Sequence, residues 1–392
     1  MNTAYAKIAG ALILAGALSS CQSVKQYANK NNFNDANEAI AVNLKPIWVQ
    51  DALVSKNDFY RKVNLFTPIL FKNSVLVANA IDGLASFDKD SKFLNWKVVI
   101  KYGIEASGTV ANNSLFVGGL DGIMYSINAE SGQINWKFDT KAEITAQPLV
   151  HNGIVYFLNG ASSLFSLEAQ TGRQVWVYSR QEMTTKMTIR GGSRPTFKNG
   201  VIYSGFSDGS IVAINAATGT PQWEVSLNKN GRFKDIDATP VLDEENIFIN
   251  SYDDKLYCLS QGNGSIIWKY STGGATAPVI TGNKLILSTS SGAVVSLNKK
   301  TGDVNWKKTN IMGMATEPLL VGGSVIYGES QGSLKAIDLL TGVDQAAFDP
   351  GKGIMSKPSA DGNSLYFISG EANVYQVDLV PQTKGMIPYL VN

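Results

Sequence analysis

Short apolar runs alternate with turn residues along most of this chain, and the alternation predicts antiparallel strands. Residues 146–178 show the unit clearly. A strand opens at Gln147-Pro148-Leu149-Val150, and Asn152-Gly153 turns the chain into Ile154-Val155-Tyr156-Phe157-Leu158. A third run follows at Leu164-Phe165-Ser166-Leu167, and Thr171-Gly172 turns into Gln174-Val175-Trp176-Val177-Tyr178. Four such runs joined by tight turns describe one antiparallel sheet. A proline near the start of a strand is tolerated there, because it removes no interior ladder bond.

The unit recurs. Trp96, Trp136, Trp176, Trp223, Trp268 and Trp306 follow one another at gaps of 40, 40, 47, 45 and 38 residues. A second mark keeps step upstream, at Pro68, Thr109, Pro148, Pro195, Pro240, Pro278, Pro318 and Pro358. Two independent markers with a period near 40 predict propeller blades. Asp82-Gly83, Asp121-Gly122 and Asp208-Gly209 fall between strands two and three, where Asp-Gly suits a two-residue type I′ hairpin. Ser131-Gly132, Thr218-Gly219, Thr301-Gly302 and their counterparts place Gly four residues before the Trp position. Each Trp is expected to wedge between neighbouring blades, since a buried indole covers roughly 150–250 Å². Small residues beside the proline mark (Gly108, Ala238, Ala277, Ala315) suit inner strands converging on an axis.

The eighth copy tests the reading. Residues 357–378 supply three strands, but no Trp-bearing fourth strand follows. Its counterpart lies near the front, at Lys45-Pro46-Ile47-Trp48-Val49-Gln50. Borrowing it would close the ring without an open sheet edge. The seventh copy has Ala346 at the Trp position. The expected fold is all-β: an eight-bladed propeller of four-stranded antiparallel blades, closed around Trp48.

Composition narrows the chemistry. Of 392 residues, 17% are charged and the net charge is +2, with no basic stripe interleaved with aromatics, so nucleic acid is not an expected partner. One histidine and two cysteines leave few catalytic or metal-site readings. His151 is expected in a surface turn. Cys258 aligns with Ser86, Ser126, Ser166, Ala213, Ser296 and Ala336, a column that calls for a small side chain. No phosphate loop, GxSxG or HExxH motif occurs. No catalytic, cofactor-binding or metal-ligating residue is assigned.

The first residues read as an address. Lys7 precedes the apolar run at 8–18, and Leu18-Ser19-Ser20-Cys21 follows. This describes a secretory signal peptide at 1–20, whose apolar run is too short to span a bilayer. Its end resembles the bacterial lipobox, which implies cleavage before Cys21 and lipidation there; Gln22 in the next position implies export to the outer membrane. Residues 21–44 then form the lipidated cysteine and a flexible tether, leaving 45–392 as one domain.

Connections from one blade's outer strand to the next blade's inner strand share one face. From Trp to the next proline mark most span 10 to 13 residues, but two neighbours are longer, 19 from Trp176 to Pro195 and 17 from Trp223 to Pro240, and the closing segment from Trp48 to Pro68 spans 20. Long loops on a rigid scaffold are where function concentrates. The first carries Met187-Thr188-Ile189-Arg190-Gly191, the second Asp235-Ile236-Asp237-Ala238-Thr239-Pro240. Together with the lipobox, the tether and eight Trp-ended blades, these segments resemble the BamB family, propeller lipoproteins of the β-barrel assembly machinery. The resemblance implies a non-catalytic scaffold on the periplasmic face of the outer membrane. Its two loops would dock the periplasmic POTRA domains of BamA, with unfolded outer-membrane proteins as further clients. Carried over by position, Met187 and Ile189 are apolar anchors, and Arg190, Asp235 and Asp237 supply polar contacts. The Trp-ended repeat is also similar to the blade motif of quinoprotein dehydrogenases, implying as the alternative a quinone- or ligand-binding propeller. Many of those enzymes set a disulfide of adjacent cysteines against the cofactor, and this sequence has no adjacent pair.

Overall fold

A computed structural model describes residues 42–51, 65–180, 192–227, 235–251 and 255–381. Their strands form eight four-stranded antiparallel sheets, and the inner strands of successive sheets touch around an axis. The molecule is an eight-bladed β-propeller. Blade 1 is Ile69–Phe71, Ser74–Asn79, Gly83–Asp88 and Leu94–Val99. Blades 2 to 7 follow at 109–139, 149–179, 196–226, 241–270, 279–308 and 319–348. Blade 8 takes Ser359–Asp361, Ser364–Ile368 and Asn373–Pro381 from the end of the chain and Val42–Asp51 from its front. Trp48 lies in that closing strand, opposite Gln376. The strand reaches further forward than the 45–50 run of the sequence pattern, because Val42, Asn43 and Leu44 pair with Pro381, Val380 and Leu379.

Burial follows position in the blade. Second and third strands are covered on both faces by neighbouring blades, so runs such as Ile154–Leu158 are buried almost throughout. Outer strands such as Gln174–Ser179 bury Trp176 and leave Val175 and Val177 exposed.

Trp96, Trp136 and Trp176 are each fixed by three neighbours, whereas the buried Trp268 indole N–H is without a hydrogen-bond partner among the described residues. Across its own sheet each Trp faces the small-residue column: Ser86 opposes Trp96, Ser166 opposes Trp176 and Cys258 opposes Trp268. A register shift follows each pair. Cys258 is accordingly buried and free, and burial together with the nearby Asp243 charge pushes its thiol up to about 12. Toward the next blade the indole N–H donates to a backbone carbonyl just past the third strand. Trp96 reaches Ala129 at 3.2 Å, Trp136 reaches Ala169 at 2.9 Å, and Trp176 reaches Ala216 at 2.9 Å. Finally, the indole lies against the next blade's turn glycine. A Cβ on Gly132, Gly172 or Gly219 would sit 2.7–2.8 Å from Trp96, Trp136 or Trp176. Those glycines also have φ of 72–73°, so both backbone and packing require them.

The Ala346 exception has a structural reason. Blade 8 makes no turn after Asp378; its third strand runs on to Pro381 beside Val42–Asp51. Val42, Leu44 and Leu379 then pack in one cluster with Ala346 and Phe348, supplying the apolar surface that an indole supplies at other seams.

The Asp-Gly turns differ from the expected type I′ hairpins. Gly83, Gly122 and Gly209 have positive φ, but Asp82, Asp121 and Asp208 do not. Gly122 N–H donates to Gly119 O at 3.1 Å, while Gly119 N–H donates to Ile123 O at 2.9 Å. The result is a longer loop with one left-handed glycine at its close. The aspartate staples that loop: Asp121 accepts from Ile123 N–H at 3.2 Å and from the Tyr125 hydroxyl at 2.7 Å.

Candidate partner-binding face

First strands run away from the face that carries the interblade connections, and fourth strands return to it. Third strands therefore end at the opposite face. Val42, paired with Pro381 at the end of such a strand, lies opposite the connection loops.

On the loop face the connection into blade 5 is held by a hydrophobic plug. Ile236 is fully buried among Tyr203, Ile211 and Ile249, and its N–H donates to Phe206 O at 3.2 Å. Gly205 lacks a side chain because a Cβ there would come 2.3 Å from Ile236 Cγ2. The plug fixes both flanking carboxylates. Asp235 is 1% exposed, whereas Asp237 lines a cavity of about 190 Å³ at the mouth of the axis. Burial, aided by the Asp235 charge, pushes the Asp237 carboxyl up to about 7.

The ends of the two long connections meet through Ser193. Its hydroxyl donates to Ala238 O at 2.9 Å and accepts from Gly205 N–H at 3.3 Å. Next to it Arg194 donates to Gln147 Oε1 at 3.4 Å, and burial pulls its guanidinium below the usual value against the opposing Glu317 charge. Of the candidate contact residues, Asp235 and Asp237 are thus brought to one connection. Met187, Ile189 and Arg190 lie outside the described residues, as does Cys21.

Sequence reasoning missed several groups at the mouth. Beyond Asp237 the cavity is walled by Glu317 and Lys357, which form an ion pair, by Thr276, and by the exposed Leu65 and Met355. The signal that could have found them is the residue just before each proline mark. This position is small or uncharged in most blades but is Arg194, Glu317 and Lys357 in blades 4, 7 and 8. His151 stacks on Phe197 of the next blade at 3.8 Å between ring centroids, a packing role beyond the surface turn expected of it. Among the described residues no group of three or more His, Cys, Asp or Glu could hold a metal ion.

Fold and site together define a class: Trp-wedged eight-bladed propellers with an elaborated loop face. Within it, the family model described as outer membrane protein assembly factor BamB matches residues 82–308 and 274–383, and the chain belongs to that family. It is 28% identical over 131 residues to outer membrane protein assembly factor BamB of Legionella pneumophila, a match spanning 32% of this chain and 34% of that one. The alignment thus spans about a third of the length of the curated relative. The crystal structure of BamB from Moraxella catarrhalis superposes with a TM-score of 0.72 at 18% identity, covering 86% of this chain and 99% of the other. The quinohemoprotein alcohol dehydrogenase of Comamonas testosteroni gives a TM-score of 0.72 at 13% identity, covering 87% and 78%. Both superpositions speak to the fold alone.

Proposed function

We propose that this chain is a non-catalytic scaffold of the outer-membrane β-barrel assembly machinery, docking the POTRA domains of BamA through its loop face. The observation that carries the reading is family membership over the propeller, joined to a loop face on which Ser193 ties the two long connections together. In this reading Met187 and Ile189 are apolar anchors and Arg190 a polar contact. Asp237 meets the partner at the axial mouth, and Asp235 acts beneath it. The signal peptide at 1–20, the lipid on Cys21 and a tether to about residue 44 would hold the propeller at the periplasmic leaflet. The front of the closing strand lies opposite the loops, so an anchor there leaves the docking face free. Unfolded outer-membrane proteins are the expected clients.

Recovery of BamA from detergent extract tests the interface. Arg190→Glu and Asp237→Lys are each expected to abolish recovery while leaving the folded protein abundant. Full recovery with both variants places the interface elsewhere. The quinone-binding alternative draws support from fold likeness only. Cys258, on the third strand of blade 5, is packed against Trp268, and its chain neighbours are Tyr257 and Leu259.

A further inference from the structure

The axial mouth contains more hydrogen-bond acceptors than its own residues satisfy. Asp237 sits in its wall with no hydrogen-bond or ion-pair partner among the described residues. Thr276, also in the wall, has a buried hydroxyl without a partner. The fully buried Asn250 donates its amide N–H to Thr276 O at 2.7 Å and leaves its own Oδ1 unpartnered. Buried polar atoms in native proteins are nearly always satisfied, so the Asp237 carboxylate and the Thr276 hydroxyl, both in the wall of this cavity and with Asn250 behind it, call for a donor inside it. Among the described residues no cation reaches Asp237: Lys357 is engaged by Glu317, and Arg194 donates to Gln147 and faces Glu317, its buried Nε–H being without a partner of its own.

Size and lining refine the ligand. A cavity of about 190 Å³ accommodates one long side chain rather than a folded element. Ala238, Ala275 and Ala277 line it, while Leu65 and Met355, 44% and 41% exposed, form an apolar rim. Lysine and arginine combine these requirements: an aliphatic stem that packs on apolar walls and a head that only donates. An anionic ligand would instead add acceptors to acceptors.

We propose that the axial mouth receives a cationic side chain, a lysine ammonium or arginine guanidinium, from the protein that docks on this face. The inference rests on the scaffold reading for the identity of that protein, but the cavity's chemistry stands apart from it. The bound head contacts Asp237, with the open Thr276 hydroxyl beside it and the aliphatic stem against the rim. Asp235 on the same connection, Glu317 and Lys357 across the cavity and Arg194 of blade 4 set the surrounding charge. Binding a cation favours ionised Asp237, so affinity rises with pH until that carboxyl is fully deprotonated and is level above.

The test uses the full chain in detergent, titrated with n-propylguanidinium, n-butylammonium or butyrate while the Asp237 carboxyl ¹³C shift is followed. At least one cation is expected to saturate one site and lower the Asp237 midpoint, and butyrate is expected to do neither. Asp237→Asn removes the observed carboxyl, so its affinity is read by calorimetry and falls by roughly tenfold or more. Thr276→Val, which keeps the shape, weakens binding by a smaller factor and leaves the Asp237 signal visible. Saturation by butyrate, or by neither cation, overturns the proposal. BamA recovery is not read here, so a misassigned partner and a misassigned cavity give different results.

Discussion

Trp48 donates its indole N–H to the side chain of Gln376, the residue directly across its own sheet. At the seams from blades 1, 2, 3, 4 and 6 the equivalent Trp instead donates to a carbonyl of the neighbouring blade. The closing blade therefore anchors its Trp internally, with Tyr366 edge-on at 6.5 Å. Trp48 is half-buried, whereas Trp176 is buried and bonded across its seam. Trp176→Ala is expected to cost about 3–5 kcal/mol, as for a core Trp, and Trp48→Ala about 2–3 kcal/mol because less surface is lost. Urea midpoints of the two variants measure the difference. Equal losses would show that the closing strand is wedged like any other.

Gly219 and Gly153 separate two reasons for glycine. Both have φ near +73°, but a Cβ on Gly219 would lie 2.7 Å from the Trp176 ring while one on Gly153 would meet nothing within 4 Å. Gly153→Ala should cost about 1 kcal/mol for the left-handed backbone alone. Gly219→Ala should cost about 1–3 kcal/mol more, because the indole must shift. Denaturation of both variants in parallel checks the gap.

Lys92 stands where other blades have the turn glycine, and its φ is +65°. Its ammonium donates to Asp90 O at 2.7 Å on the surface, a bond worth little in water. Lys92→Gly is expected to raise stability by about 0.5–1 kcal/mol, since relief of the strained φ outweighs the added freedom of the unfolded chain. A lower melting temperature for Lys92→Gly would mean that the lysine stem supports the closing seam.

Blade number and closure were legible because the residues that wedge the blades are also the most distinctive in composition. Trp and its turn glycine meet in space, so both recur with the blade period. Turn geometry was less legible. Asp121-Gly122 gives the same dipeptide signal whether Asp adopts positive φ or accepts from Ile123 and Tyr125, and only the three-dimensional contacts decide. The compensation for Ala346 by Val42 and Leu44 joins the two ends of the sequence and has no local signature. At the candidate site, Asp235 and Asp237 look equivalent in the sequence, yet the Ile236 plug buries one and directs the other to the cavity. Glu317 and Lys357 escaped notice because the residue before the proline mark varies from blade to blade, with Thr67, Gly108, Gln147 and Ala277 among its occupants, so no repeated column makes the charged ones stand out.

Asp237 gives stability a definite pH dependence. Its folded pKa, about 7, lies above the ordinary carboxylate value of 3.8, because burial and the Asp235 charge disfavour the ionised form. Below pH 3.8 both folded and unfolded forms hold the proton, and the group is neutral to stability. Between about 4 and 7 the unfolded chain ionises first, so the native state binds more protons and stability falls as pH rises. Above 7 both are ionised and the penalty is constant. Asp237→Asn removes this penalty and keeps the shape. The variant's advantage in urea midpoint over the parent should be smallest near pH 4, grow up to pH 7 and level off beyond it. A gap that stays flat from pH 4 to 8 would mean that Asp237 keeps an ordinary pKa and is better solvated than its position indicates.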